Sequence, residues 1–362
     1  MLIKHNSPKP ELVSQFLTAL HAIPEVRAKC QTDVLVAPGR RCDAWIDLSV
    51  ADKAASLIVE AKKSYYPRDI RQALWQLREL VQSAAPQPKA PVPVVIAESI
   101  SPGAKELLRK ERVGYFDSGG SLFLPARNIY IHVDRPPSRK FSRSIRSLFS
   151  GRRAQVLHAL LLRHEHWFGV HELAELAGAS PATVSEVLIE LERFDWLDAR
   201  GRGPKKERRL GKPGVLLDEW AKHLAVTRHP VTQRYYVPRV EAIELVGMVA
   251  SVLGAHGVDY AIAGEAAGQH YAPFLSHLSR VHCRVSIGSA LEHSLDKLGA
   301  REVDEGTNLV LIESRLPGEL SFREPADGIW FASPVQVYLD LLRTEGRAKE
   351  LAQHLRVERI GF

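Results

Sequence analysis

The sequence predicts a multidomain α/β protein, with a mixed α/β block at each end and a helical centre between them. Three observations predict it. The chain has 362 residues, and at about 150 residues per domain that length suggests two or three domains. Strand-like alternation and helix-like periodicity are interleaved in residues 1–135 and again in 226–362, whereas 148–225 read as a compact helical unit ending in a Gly/basic stretch. Charge marks the same centre. Arg139 to Arg163 holds seven Lys/Arg and no acid, and Arg200 to Lys212 holds seven against one acid, Glu207. These two stretches carry +13 of a chain whose net charge is +7, which leaves −6 for the rest. A segregated basic centre points to a polyanionic partner, with double-stranded DNA the expected one.

Composition excludes other classes. The hydrophobic fraction of 45% and charged fraction of 25% exclude disorder for the bulk of the chain. Cys30, Cys42 and Cys283 are widely spaced, with no CxxC pair and no disulfide framework, so a reducing cytoplasm is expected. The opening MLIKHNSPKPELV lacks the apolar core of a signal peptide, and no apolar run approaches the ~18 residues of a membrane span. A cytoplasmic protein without a membrane partner is the expectation.

The N-terminal block, 1–135, carries the first candidate site. In RRCDAWIDLSV, Asp43, Trp45 and Asp47 alternate with Ala44, Ile46 and Leu48, the pattern of a half-buried strand. In ASLIVEAKK, Ile58, Glu60 and Lys62 share the face opposite Leu57, Val59 and Ala61. A Glu and a Lys inside an apolar strand are costly to bury unless paired or metal-bound. Asp43 or Asp47 on the preceding strand can join Glu60 as an oxygen ligand for Mg²⁺. Lys62 is then placed to orient or activate a water. The helix RDIRQALWQLREL adds Gln72 and Gln76 one turn apart, and PVPVVIA, SPGAKELLRKER and VGYFDSGGSLFL supply a buried strand, a helix and a strand-turn-strand.

This D…ExK arrangement resembles the PD-(D/E)XK nuclease superfamily. The resemblance implies a restriction-endonuclease-like α/β fold and a catalytic set of Asp43, Glu60, Lys62 and Gln72. It implies metal ligation by Asp43, Asp47 and Glu60. Cys42 stands where the family often has proline, a position that is not catalytic. Whether catalysis is retained stays open, because Glu60 and Lys62 can equally form an internal ion pair in a domain that only binds.

Residues 136–147, PPSRKFSRSIRS, read as a basic linker. In 148–225, GRRAQVLHALLLRHE forms a first helix with Val156, Leu157, Leu160 and Leu161 inward. VHELAELA forms a second with Leu173, Leu176 and Ala177 inward, and Gly178 makes the turn. Ser180 is placed to cap the third helix, PATVSEVLIELERF, and Pro181 to open it. Val184, Val187, Leu188 and Leu191 line its back, while Ala182, Thr183, Ser185 and Glu186 form the opposite N-terminal face. The segment WLDARGRGPKKERRLGKPG then reads as strand, glycine-rich basic loop and strand. The whole is a winged helix-turn-helix. Ala182, Thr183 and Ser185 are candidate base readers, and Arg200, Arg202, Lys205, Lys206, Arg208 and Arg209 candidate phosphate contacts. Glu186 and Glu190 weigh against phosphate proximity, although Glu186 can accept from a cytosine amino group. A dimerisation or docking role is the competing reading of this unit. Trp167, Phe168 and Trp196 read as core staples. His164, His166 and His171 lack a Cys or acid at zinc-ligand spacing, and Ser118-Gly119-Gly120 reads as a turn.

In 226–362, an amphipathic helix with Ile243, Leu245, Val246 and Val249 leads to the strand DYAIAG and a small-residue helix. The order resembles the nucleotidyltransferase fold. However, Gly264 is followed by Glu265 where that fold has serine, and RVHCRVSI carries no carboxylate, so a degenerate scaffold is expected. Cys283 reads as a small buried hydrophobe. The run Ser333-Pro334, Gln336, Tyr338, Leu339-Asp340 and Gly346-Arg347, together with the helical centre upstream, resembles AbiEi-type proteins. These are the antitoxin and transcriptional-regulator family of type IV toxin–antitoxin systems. The resemblance covers roughly 150–362 and implies autoregulation through DNA binding and neutralisation of a nucleotidyltransferase-type toxin. Ser333 is also placed simply to cap a helix opened by Pro334, with Val337, Leu341 and Leu342 inward.

The favoured reading is therefore a DNA-binding transcriptional regulator of the antitoxin kind. Its alternative is a Mg²⁺-dependent DNA endonuclease targeted by the same winged helix. A homodimer on a palindromic site is one expected form, although no coiled-coil repeat is visible.

Overall fold

The structure is a computed structural model that describes residues 8–84, 90–136, 145–314 and 317–362. Most of the expected linker, 137–144, lies outside the described residues. The protein is a mixed α/β chain with two seven-stranded sheets. Its contacts divide it into two compact units, Met1–Arg146 with Ile189–Asp195, and Ser147–Leu188 with Trp196–Phe362.

The first unit is built on one sheet of seven strands in chain order. They are β1 (Val26–Ala37), β2 (Arg40–Val50), β3 (Lys53–Tyr65), β4 (Val92–Ile100), β5 (Gly114–Asp117), β6 (Leu122–Ala126) and β7 (Ile129–Val133). β1, β2 and β3 form an antiparallel meander. β3, β4 and β5 run parallel, so each joint needs a crossover, and the helices Pro67–Ser83 and Pro102–Lys110 provide them. The expected alternation holds on β2, where Ala44, Ile46 and Leu48 are buried. They share a core with Leu57 and Val59 of β3 and with Leu12 and Phe16 of the helix Pro8–His21. Ile70, Ala73 and Leu77 of the Pro67–Ser83 helix join Ile58 and Val95 in a second core. Each fully buried aliphatic or aromatic side chain contributes about 1.5–3 kcal/mol.

From Ser147 on, the chain runs helix Gly151–Leu162, helix Val170–Ala177 and helix Pro181–Arg193, of which Ile189–Arg193 count with the first unit. The hairpin β8 (Leu197–Arg200) and β9 (Glu207–Leu210) and the helix Pro213–Ala225 follow. Val156, Leu160, Leu173, Val184, Val187 and Leu188 are buried, as their spacing predicts. Phe168 and Arg208 exchange backbone hydrogen bonds, which adds a further rung beside β9.

The remaining strands are β10 (Thr232–Tyr236), β11 (Tyr260–Ala263), β12 (Val281–Val285), β13 (Arg301–Glu302), β14 (Leu309–Glu313), β15 (Glu324–Ala326) and β16 (Ile329–Phe331). Their order in the second sheet is β13-β10-β14-β12-β11-β16-β15. Leu245, Val246 and Val249 of the helix Ala242–Ala255 are buried, whereas Ile243, expected inward with them, is exposed. Gly264 opens the next helix at φ +57°, and a Cβ there would meet the His282 ring at 2.8 Å, so only glycine fits.

Candidate functional site

Two groups of residues were expected to carry chemistry, and the structure assembles part of each. The β2–β3 register pairs Ala44 with Val59, and one step further sets Asp43 beside Glu60. Asp43 Oδ2 accepts from the Ala61 backbone N–H at 2.8 Å. Its Oδ1 receives the Lys9 ammonium at 2.7 Å, from the helix Pro8–His21. Burial, then the Asp43 carboxylate, push Glu60 up to about 7, while Lys9 and Lys62 pull it the other way. Burial first, and next Glu60, push the Cys42 thiol up to about 11. Burial and the same carboxylates also hold the Tyr65 phenol protonated, with its Oη sealed and without a partner. The Lys62 ammonium lies 5.6 Å from the Tyr65 ring centroid. Asp43, Glu60, Lys62 and Lys9 thus form one electrostatic cluster.

Asp47 does not join it. It lies four positions further along β2 than Asp43, about 13 Å away. Asp47 is exposed and accepts from Ser56 Oγ at 2.8 Å and Trp45 Nε1 at 3.0 Å. Gln72 and Gln76 lie exposed on the Pro67–Ser83 helix. Among the described residues no group of three or more His, Cys, Asp or Glu is arranged to hold a metal. Two carboxylates with water can still hold Mg²⁺, which keeps several waters in its shell. A half-buried acid pair that already draws an ammonium suits such a cation. Lys9 was not singled out in the sequence, because a lysine at a helix start carries no mark of its distant partner.

The second group lies on the third helix and the hairpin. Ser180 Oγ accepts the Thr183 backbone N–H at 3.1 Å and meets Thr183 Oγ1 at 3.0 Å, which caps the helix. Ala182 is exposed, and Thr183 and Ser185 are half-buried, opposite buried Val184 and Val187. Glu186 is paired with Arg153 at 2.5 Å and Glu190 with Arg193 at 2.7 Å. On the hairpin, Arg202 and Lys205 are exposed and Lys206 is half-buried. Arg200 pairs with Glu207 at 2.6 Å and Arg209 with Asp198 at 2.9 Å. Their guanidinium carbons lie 4.5 and 5.0 Å from the Trp167 ring, so Trp167 organises the hairpin cations as well as packing. Arg208 is only 9% exposed, which takes it out of reach of a phosphate backbone. Gly201 turns the hairpin at φ +75°, where a Cβ would strike the Lys205 carbonyl at 2.5 Å.

β12, where a nucleotidyltransferase would carry acids, presents His282 and Arg284. Burial, then Arg280, push His282 down to about 4. Arg284 makes a bidentate pair with Asp340 at 2.6 and 3.0 Å, with 9% and 11% of their side chains exposed. Ser333 accepts the Gln336 backbone N–H and meets His158 Nε2 at 2.6 Å. Gln336 donates to Asp340 at 2.9 Å. Tyr338 Oη receives Arg356 at 3.1 Å. Most of the residues that carried the AbiEi resemblance therefore hold the unit together.

Comparison with protein-family models, curated proteins and solved structures returns no match. No described helix is long and apolar enough to cross a membrane.

Proposed function

We propose that the protein binds double-stranded DNA as a transcriptional regulator, with residues 148–225 acting as a winged helix. One observation carries this reading. The Pro181–Arg193 helix has a buried back and an open N-terminal turn of short polar residues, and a cationic hairpin follows it directly. Thr183 and Ser185 would meet base edges, and Arg202, Lys205, Lys206, Arg200 and Arg209 phosphates. The pairing of Glu186 with Arg153 removes most of the objection that carboxylate raised. In this reading 226–362 belongs to an antitoxin-like protein whose partner is a nucleotidyltransferase-type toxin.

The test is fluorescence anisotropy of a DNA duplex over a salt series. Arg202→Ala with Lys205→Ala should weaken binding about equally on all sequences and lower the slope of log K against log salt by about 2. An unchanged slope sinks the hairpin assignment. A protein that shifts no duplex at physiological salt leaves only the protein-binding reading.

A second reading is favoured by the Asp43–Glu60 cluster. The helix, three-stranded meander, helix and parallel strand of the first unit suit a PD-(D/E)XK core. There Asp43 and Glu60 would hold Mg²⁺ through their oxygens. Bound at that point, the cation supplies polarisation of a phosphate oxygen and a more acidic water. Lys62, on the same strand, would position that water. Wild type should cleave plasmid in Mg²⁺ or Mn²⁺ and Lys62→Ala should not. Absence of cleavage by wild type on varied and modified DNA refutes the reading.

A further inference from the structure

Lys9 joins the Asp43–Glu60 cluster from outside the sheet. It is the second residue of the helix Pro8–His21, whose Leu12, Val13 and Phe16 are fixed in the first core. Lys9, Pro10 and Glu11 precede that anchor and are exposed. From there the Lys9 ammonium reaches Asp43 Oδ1 at 2.7 Å.

The reason for the reach is electrostatic. Asp43 stands beside Glu60 on the neighbouring strand, and its side chain is only 19% exposed. Two carboxylates so placed attract a cation, and the chain supplies one of its own. Lys9 acts on Glu60 more strongly than Lys62 does, although Lys62 shares the strand of Glu60. With both lysines in place, the two acids are balanced once Glu60 is ionised.

A divalent cation changes this balance. Held between Asp43 and Glu60 beside the Lys9 ammonium, it would add two positive charges to a group that is already neutral. Like charges about 4 Å apart repel strongly in partly buried surroundings. Exchange for the Lys9 ammonium removes one of the surplus charges and returns the Asp43 oxygen to the cation. Lys9 is free to make the exchange, because 48% of its side chain is exposed and it precedes the first buried residue of its helix. Lys62 is not, since it is half-buried within β3 and lies against the Tyr65 ring.

We infer that Lys9 is a built-in competitor of the divalent cation at Asp43 and Glu60, its ammonium holding the pair when no such cation is bound and leaving when one binds. This rests on the reading of that pair as a Mg²⁺ site. Lys9 then sets how tightly the site takes the cation, and loading releases the start of the Pro8–His21 helix.

The test measures Mn²⁺ binding to the chelator-treated full chain at about pH 8, by loss of the free-ion EPR signal. Lys9→Met keeps an unbranched stem and removes the charge. It should bind Mn²⁺ about fivefold more tightly than wild type, the worth of one partly exposed ion pair. Lys9→Arg keeps a cation and should stay at the wild-type value. Asp43→Asn should lose binding with either residue at position 9. A second readout follows Lys9 itself. In a pulse of acetic anhydride read by peptide mass spectrometry, Mg²⁺ should raise acetylation of Lys9 severalfold and leave that of exposed Lys53 unchanged. Binding to Lys9→Met that equals wild type, or is weaker, overturns the competition and leaves the cation site standing. Failure of both proteins to bind Mn²⁺, or binding that survives Asp43→Asn, overturns the cation site and the competition with it.

Discussion

At the scale of single residues, the determining contacts are buried charges whose partners lie far away in sequence. Arg284 and Asp340 are 56 positions apart and form a bidentate pair inside the second unit. Removing one partner of such a pair leaves a charge buried alone, which costs about 3–5 kcal/mol. Asp340→Ala should therefore lower the urea stability of the second unit by about that much. Arg284→Met with Asp340→Leu should recover much of the loss, since a well-packed apolar pair is often neutral relative to the ion pair. If the double variant is as unstable as the single one, packing and not charge dominates the site. The same logic holds in the first unit, where Lys105 meets Asp117 at 2.7 Å and donates to Ser121 at 2.6 Å. That pair explains the turn at Ser118-Gly119-Gly120. Asp117 Oδ1 accepts the Ser121 N–H, and the segment closes as a hairpin.

At the scale of elements, caps and periodicity did most of the positioning. Ser180 and Ser333 each precede a proline and each accept a backbone N–H from the first turn of their helix. Ser180→Ala should cost about 1 kcal/mol. It should also loosen the turn that displays Thr183 and Ser185. Denaturant unfolding checks the first part. Faster amide exchange confined to the start of the Pro181–Arg193 helix checks the second. The strands of the first unit were legible where one face is apolar, as on β2 and β3. The helix Pro8–His21 and the strand β1 were not picked out individually. β1 is exposed along much of its length, so its sequence VRAKCQTDVLVA lacks clean alternation. Missing that helix meant missing Lys9, and with it the cation that neutralises Asp43.

At the scale of the whole molecule, two titrations, one of a buried group and one of a half-buried group, act on stability in opposite directions. His158 is fully buried against Trp220, Phe322 and Ser333. Burial, then Arg284, hold it down at about 3, while Asp340 acts the other way. The unfolded chain binds that proton near pH 6.5. Between these values the unfolded state carries more protons, so the stability is present above pH 6.5 and is lost as pH falls toward 3. On going from pH 7.5 to pH 5, wild type should lose about 2 kcal/mol relative to His158→Gln. Glu60 opposes this trend. Its folded value is raised, so its contribution is largest at low pH and is lost as pH rises through about 7. The His158 comparison is therefore made as a difference between two proteins at each pH. A difference that does not change with pH would mean that His158 titrates normally in the fold.

The mixed α/β class, the helical centre, the capped helices and the segregation of charge were all determined by the sequence alone. Each follows from periods of two or 3.6, or from neighbours within one turn. The sequence also marked Asp43 or Asp47 as the partner of Glu60, because alternation puts both on the strand before it. Only the tertiary structure decided which marked residues meet. It separated Asp47 from Glu60, buried Arg208, paired Glu186 with Arg153, and turned Trp167 into a platform for two arginines. It also joined His158 to Ser333. The physical reason is that these relations depend on long-range register and packing. A carboxylate or guanidinium looks the same in sequence whether its partner is solvent, an ion or a residue a hundred positions away.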